Sequence, residues 1–223
     1  MEIMDGINAI ELLQEQQLDF IHRLKYSCLL DCQIPGKNSE TTFISGESKI
    51  KQIVSFCLSM CNKYPSEDQK KVFLNNFIGK LGEEAVKSRL TNFIAEVDYT
   101  IKNEGDGKVD FKFAFDSNTG GIQVKTRNGT YDTVKWSITE KEIEANTFVV
   151  CMLIEKNVQI EEIKNNEKTE YKIISAGFLP IDLIKKECKT EFQFTIYELL
   201  YISGLNAYLN KLSDLQLAKL LEM

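Results

Sequence analysis

The sequence predicts an α/β fold: a helix, a three-stranded meander, a second helix and a further strand, with helical additions before and after this core. Three observations carry that expectation. From Ile7 to Phe93 apolar residues recur mostly at three- and four-residue spacing, the mark of amphipathic helices. From Glu96 to Arg127 the period changes to two, as in half-buried strands. The continuous apolar run "FVVCMLI", Phe148–Ile154, reads as one more strand.

Element by element, Ile10, Leu13, Leu18, Ile21, Leu24 and Cys28 predict a helix from Ile7 to about Cys32, which "QIPGKNSETTFISGES" breaks. A second helix is expected over Ser48 to Asn62, ended by Pro65. Ser66-x-x-Gln69 has capping-box form and opens a third helix through Phe93. In it Phe73, Phe77, Leu81 and Ala85 make one apolar row, and Val86, Leu90 and Phe93 lie around the helix from it, so it is buried on more than one side or bends near Gly79. Strands are expected at Glu96–Lys102, Lys108–Phe115, Gly121–Arg127 and Asn146–Glu155, with a short helix in "SITEKEIEANT" between the last two. "NVQIEEIKNNEKTEYKIIS" reads as an outer hairpin turning at Asn165 to Lys168, and the Leu-rich tail from Thr195 as helical, its last helix starting at Ser213-x-x-Gln216. The expected partition is residues 1–65, helical; 66–194, the core; and 195–223, a helical extension.

The chain has 223 residues, 43% of them hydrophobic, ample for a buried core. A formal net charge of −6 speaks against a nucleic-acid partner only weakly, because salt screens exposed charges beyond roughly 8 Å and a local basic strip outweighs the total. "MEIMDGINAIELLQEQQ" lacks a basic region followed by an apolar run, and no apolar segment reaches the roughly 18 residues of a membrane span, so a cytoplasmic protein off the membrane is expected.

"GDGKVDFKFAFDSNTGGIQVKTR", Gly105–Arg127, alternates as a hairpin with one apolar face, while Asp110, Gln123 and Lys125 share the other. With Asp116 to Thr119 as the loop, Phe111 faces Val124, Phe113 faces Ile122, and Asp110 lies opposite Lys125, with Cβ atoms about 5 Å apart. A one-residue slip would mix the faces. On the preceding helix, "GKLGEE" puts Glu83 in a stripe with Gly79, Val86 and Leu90, an acid in a row otherwise made for burial. Gly79 and Gly82 weaken a helix and make sense where backbone approaches a sheet closely.

A helix with Glu83 in "GKLGEEAV", Asp110 in "DGKVDF", and Gln123 and Lys125 in "IQVKTR" together resemble the PD-(D/E)xK nuclease superfamily, the restriction-endonuclease-like fold. The resemblance spans about Gly79 to Glu155 and implies a metal-dependent DNA endonuclease, of restriction or DNA repair. It implies Glu83, Asp110 and the Gln123 carbonyl as ligands of Mg²⁺ or Mn²⁺, with Lys125 orienting or deprotonating the attacking water or steadying developing charge. Gln123 stands where that family usually has an acid, and Val109 where it has proline; Glu83 is the natural compensator for the missing charge, with Glu84 expected on the outer side of the helix. Arg127, Lys135 and Arg89 are the expected DNA contacts, "TRNGTYDTVKW" the rim of the site, and Trp136 a core residue rather than a base-stacking one. Cutting both strands of a duplex often uses two sites, which makes a homodimer compatible with the resemblance. The alternative is a non-catalytic module that keeps the fold and binds DNA or a protein partner.

Other chemistries find less support. Cys28-x3-Cys32 and Cys57-x3-Cys61 have the helical spacing of two thiol pairs for Zn²⁺ or an iron–sulfur cluster, but that spacing is also a core face. Cys151 and Cys188 are expected to be structural or incidental. His22, the only histidine, falls among polar residues and reads as a surface residue, which disfavours a Ser-His-Asp hydrolase. There is no Gly-rich phosphate loop.

Overall fold

A computed structural model describes residues 2–31, 39–96, 109–115, 120–164, 170–184 and 191–221. Within them the chain is mixed α/β. The helices are α1 (Glu2–Lys25), α2 (Glu47–Lys63), α3 (Gln69–Leu90), α4 (Glu140–Ala145), α5 (Ile160–Lys164) and α6 (Gly204–Leu221). The strands are β1 (Thr41–Ser45), β2 (Ile94–Glu96), β3 (Phe111–Phe113), β4 (Gly121–Asn128), β5 (Trp136–Thr139), β6 (Phe148–Ile154), β7 (Glu170–Pro180) and β8 (Glu191–Phe194). Six of them form a mixed sheet in the order β1-β7-β6-β4-β3-β2, and β5 and β8 form a separate ribbon.

The site-bearing half of the sheet runs α3, then β2, β3 and β4 as neighbouring antiparallel strands, then α4, then β6 parallel to β4. β6 is the central strand, buried along its whole length, which explains its uninterrupted apolar run. α3 buries Phe73, Phe77, Leu81 and Ala85 together with Gly82, Val86, Arg89 and Leu90, so the two apolar rows make one wide inward face. At Gly82 helix and sheet come close: a Cβ there would lie 1.8 Å from Thr126 Oγ1. At Gly79 a Cβ would meet nothing within 4 Å, so no close approach explains that glycine.

Several expectations are corrected. α1 ends at Lys25, where Ser27 takes a left-handed conformation (φ 56°), so Cys28 lies beyond the helix rather than on it. Leu18 is exposed, and Gln17 takes the inward position in its place. Its Nε2 donates to Ala176 O and Ile196 O at 2.8 and 3.0 Å. Ala176 is the residue skipped in the β6–β7 register, so Gln17 supplies the donor that a strand neighbour does not. Asp68, not Ser66, caps α3, accepting from the backbone N–H groups of Lys70 and Lys71.

"TTFIS" is β1, a strand inside the expected break, and β5 and β8 are strands where none was expected. The first arm of the expected outer hairpin contains α5, and only the second arm, in β7, is a strand. α6 runs through Ser213 without a new start. Within residues 1–65, β1 pairs with β7, and within 195–223, Leu200 bridges Phe178. Most of the expected strand Glu96–Lys102, the loop Asp116–Thr119, the turn Asn165–Lys168, Cys32 and Cys188 lie outside the described residues.

Candidate functional site

β3 and β4 pair through Phe111↔Ile122 and Lys112↔Gly121. This is two residues away from the expected register, a shift that keeps each side chain on its face while exchanging its partner. Asp110 therefore comes to Gln123 rather than to Lys125. Its backbone N–H donates to Ile122 O at 3.1 Å, the last rung between the strands among the described residues. The Asp110 carboxylate lies against β4: Oδ2 accepts from Val124 N–H and from Gln123 Nε2, both at 2.7 Å. Gln123 is buried, and its Oε1 has no hydrogen-bond partner among the described residues.

Two acids meet here. Burial, then the charge of Glu83, then against them the Val124 N–H bond and the lysines 80 and 125, set the Asp110 carboxyl at about 7, far above its ordinary 3.8. Burial also raises Glu83, opposed by Lys80, one turn away on α3, which ion-pairs with it. The Lys80 ammonium also lies 4.6 Å from the ring centroid of Phe56 on α2. Glu84 is not on an outer face; it turns toward α2, where Lys49 Nζ donates to it at 2.8 Å.

Alternation along β4 puts Gln123 and Lys125 on one face and Val124 and Thr126 on the other, and the Gly82–Thr126 approach shows that α3 covers the second. Lys125 thus reaches the Asp110 edge from the side opposite Gly82. Its Nζ donates to Glu142 Oε1 on α4 at 2.7 Å. Glu142 Oε2 meanwhile accepts from the backbone and hydroxyl of Thr139, completing the capping box of α4. Lys125 and Asp110 are consequently close enough to feel each other's charge without being a cross-strand ion pair.

Of the expected DNA contacts, Lys135 is exposed. Arg127 is partly buried, its guanidinium donating to Lys135 O and more distantly to Ser137 Oγ. Arg89 is not offered to a partner: it is buried and donates to Ser39 O at 2.6 Å, and burial lowers it to about 10. Trp136 fills the core, its Nε1 donating to Met152 O. His22 is exposed, as its polar surroundings suggested.

Sequence reasoning missed Lys80 and Glu142. Both left a trace, in the i, i+3 pair Lys80-x-x-Glu83 and in the capping box Thr139-x-x-Glu142. Oxygen donors of this kind, two carboxylates and an unpartnered buried amide oxygen, suit a hard divalent cation such as Mg²⁺ or Mn²⁺. The described residues hold no group of three or more His, Cys, Asp or Glu placed to hold a metal. Cys57 is buried and its thiol pushed up to about 12, chiefly by burial, which makes it a poor thiolate ligand. No described helix is long and apolar enough to cross a membrane. Comparison of the chain with protein-family models, with curated proteins and with solved structures found no match.

Proposed function

We propose that the chain is a divalent-metal-dependent nuclease of the restriction-endonuclease-like class, hydrolysing DNA phosphodiester bonds, with Asp110, Glu83 and Gln123 as ligands of Mg²⁺ or Mn²⁺. The observation that carries this reading is the meeting of two mutually repelling, largely buried carboxyls, one of them hydrogen-bonded to Gln123, whose Oε1 has no partner among the described residues. Such an arrangement costs folding free energy and is expected where a cation is to be held. The succession of α3, an antiparallel β2-β3-β4 meander, α4 and a parallel β6 also supports it.

When bound, a divalent cation lowers the pKa of water and draws charge from a phosphoryl transition state. The chain's own part is positional. Asp110 is locked by two hydrogen bonds, so its second oxygen is directed without rotamer freedom. Lys125, held by Glu142, brings a fixed positive charge to the same edge and suits the steadying of developing negative charge better than proton abstraction, because its ammonium is ion-paired. Arg127 follows Lys125 along β4 and donates to the carbonyl of the exposed Lys135, a pair of cations that can follow a phosphate backbone.

One observation favours the second reading, a nuclease-fold module that binds DNA or a protein without cutting: Gln123 Nε2 already occupies one Asp110 oxygen. Incubation of supercoiled and linear duplex DNA with Mg²⁺ or Mn²⁺ separates the two. The nuclease reading expects cleavage that Asp110→Asn abolishes and Lys125→Ala reduces by roughly 10²-fold or more. Cleavage indifferent to both substitutions removes the site assignment, and DNA binding without cleavage selects the module.

A further inference from the structure

We propose that Lys80 is a built-in counter-ion of this site, whose ammonium occupies Glu83 until a divalent cation displaces it, so that Lys80 sets the affinity for the metal. The inference rests on the metal-dependent reading above and adds what regulates that site.

Three features of the geometry lead to it. The ion pair between Lys80 Nζ and Glu83 Oε2 engages a carboxylate oxygen that metal binding would need, and the two side chains are only 21% and 22% exposed. A divalent ion and an ammonium cannot share that oxygen at contact distance without strong repulsion. The same ammonium sits over the Phe56 ring, which gives it a second favourable place when it leaves the carboxylate. A lysine stem rotates freely enough to make that short move without the backbone.

Lys125 is differently placed. Its ammonium is held by Glu142 on α4, so a cation arriving at Glu83 does not compete for its partner. Of the two lysines, Lys80 also pulls harder on the Asp110 carboxyl. The protein is therefore charge-compensated at Glu83 without metal, and a cation gains only the difference between its own attraction and that of the displaced ammonium.

Calorimetric titration of the full chain with MnCl₂ and with MgCl₂ tests this. Lys80→Met is expected to bind either ion roughly tenfold more tightly than wild type, since each factor of ten corresponds to about 1.4 kcal/mol. It is also expected to gain more thermal stability than wild type on adding metal. Asp110→Asn, introduced into either background, is expected to abolish binding. Equal or weaker affinity in Lys80→Met, with wild type binding normally, overturns the counter-ion while leaving the nuclease reading in place. No binding to either protein overturns both, and binding that survives Asp110→Asn overturns the location. If Lys80→Met does not fold, Lys80→Gln, neutral but still able to donate to Glu83, is read by the same criteria.

Discussion

At the scale of single residues the site is defined by a conflict. Asp110 and Glu83 are both carboxyls, both withdrawn from water, and the charge of one disfavours ionisation of the other. In the metal-free protein the folded state holds the Asp110 proton up to about pH 7, whereas the unfolded chain releases it near 3.8. The contribution of this group to stability is therefore fully present below about pH 4 and is lost as pH rises through about 7. Replacing the carboxyl with an amide of the same shape removes the charge and keeps an oxygen for Val124 N–H. Asp110→Asn is expected to raise the thermal midpoint of the metal-free protein at about pH 8 by roughly 2–4 °C, and to leave it little changed at about pH 4. Thermal unfolding followed by circular dichroism at the two pH values checks this; a variant less stable than wild type at the higher pH would show that Asp110 is a structural anchor. The sequence made the three participants legible because each stands on a periodic element. It could not show that Asp110 bonds Gln123 rather than Lys125, because a two-residue shift of the hairpin leaves every apolar residue on the same face.

At the scale of elements, the site depends on how closely α3 can lie on β4. Gly82 allows that approach, with Thr126 filling the space a side chain would take. Gly82→Ala would bring its methyl to 1.8 Å from Thr126 Oγ1 and to 3.0 and 3.1 Å from its Cβ and Cγ2, so the Thr126 side chain, the helix or the strand must shift. The expected cost is about 1–3 kcal/mol in urea unfolding, and Thr126→Ala in the same chain, which removes Oγ1 and Cγ2, is expected to recover part of it. A Gly82→Ala protein as stable as wild type would mean that the approach is looser than described. Gly82 announced this role in the sequence, as a costly residue within an otherwise strong helix. The elements that did not announce themselves are the short ones. β1 reads "TTFIS" amid Ser, Asn, Gly and Lys, and as a sheet-edge strand it buries only part of what a central strand buries. β5 and β8 are four residues each and stabilise one another only across the fold. In "VQIEEIK" the apolar residues Val158, Ile160 and Ile163 fit a strand at one interval and a helix at the next, and tertiary contact decides for the helix: all three are buried.

At the scale of the molecule, the chain ends are tied together by one acid. Glu40 is fully buried just before β1, and it receives Arg23 from α1, the backbone N–H of Leu30 at 2.7 Å and the Tyr201 hydroxyl at 2.9 Å. Arg89 of α3 donates to the carbonyl of the preceding Ser39. Four separate stretches of chain thus converge on two consecutive residues, and none of this is periodic, so no pattern in the sequence marks it. A carboxylate so completely satisfied is tolerated in the interior, whereas removing it leaves the partly buried Arg23 guanidinium, the Leu30 N–H and the buried Tyr201 hydroxyl without their acceptor. Glu40→Ala is expected to destabilise the protein by about 3–5 kcal/mol, and Tyr201→Phe, which loses one neutral donor to a charged acceptor, by about 1.5–3 kcal/mol. Because the cluster joins the first helix, the sheet edge and the approach to α6, the loss should appear as one cooperative transition moved to lower denaturant in both circular dichroism and Trp136 fluorescence. Two separated transitions in Glu40→Ala would instead show that the terminal helices fold independently of the sheet that carries Asp110, and the site would then be testable in a shorter chain.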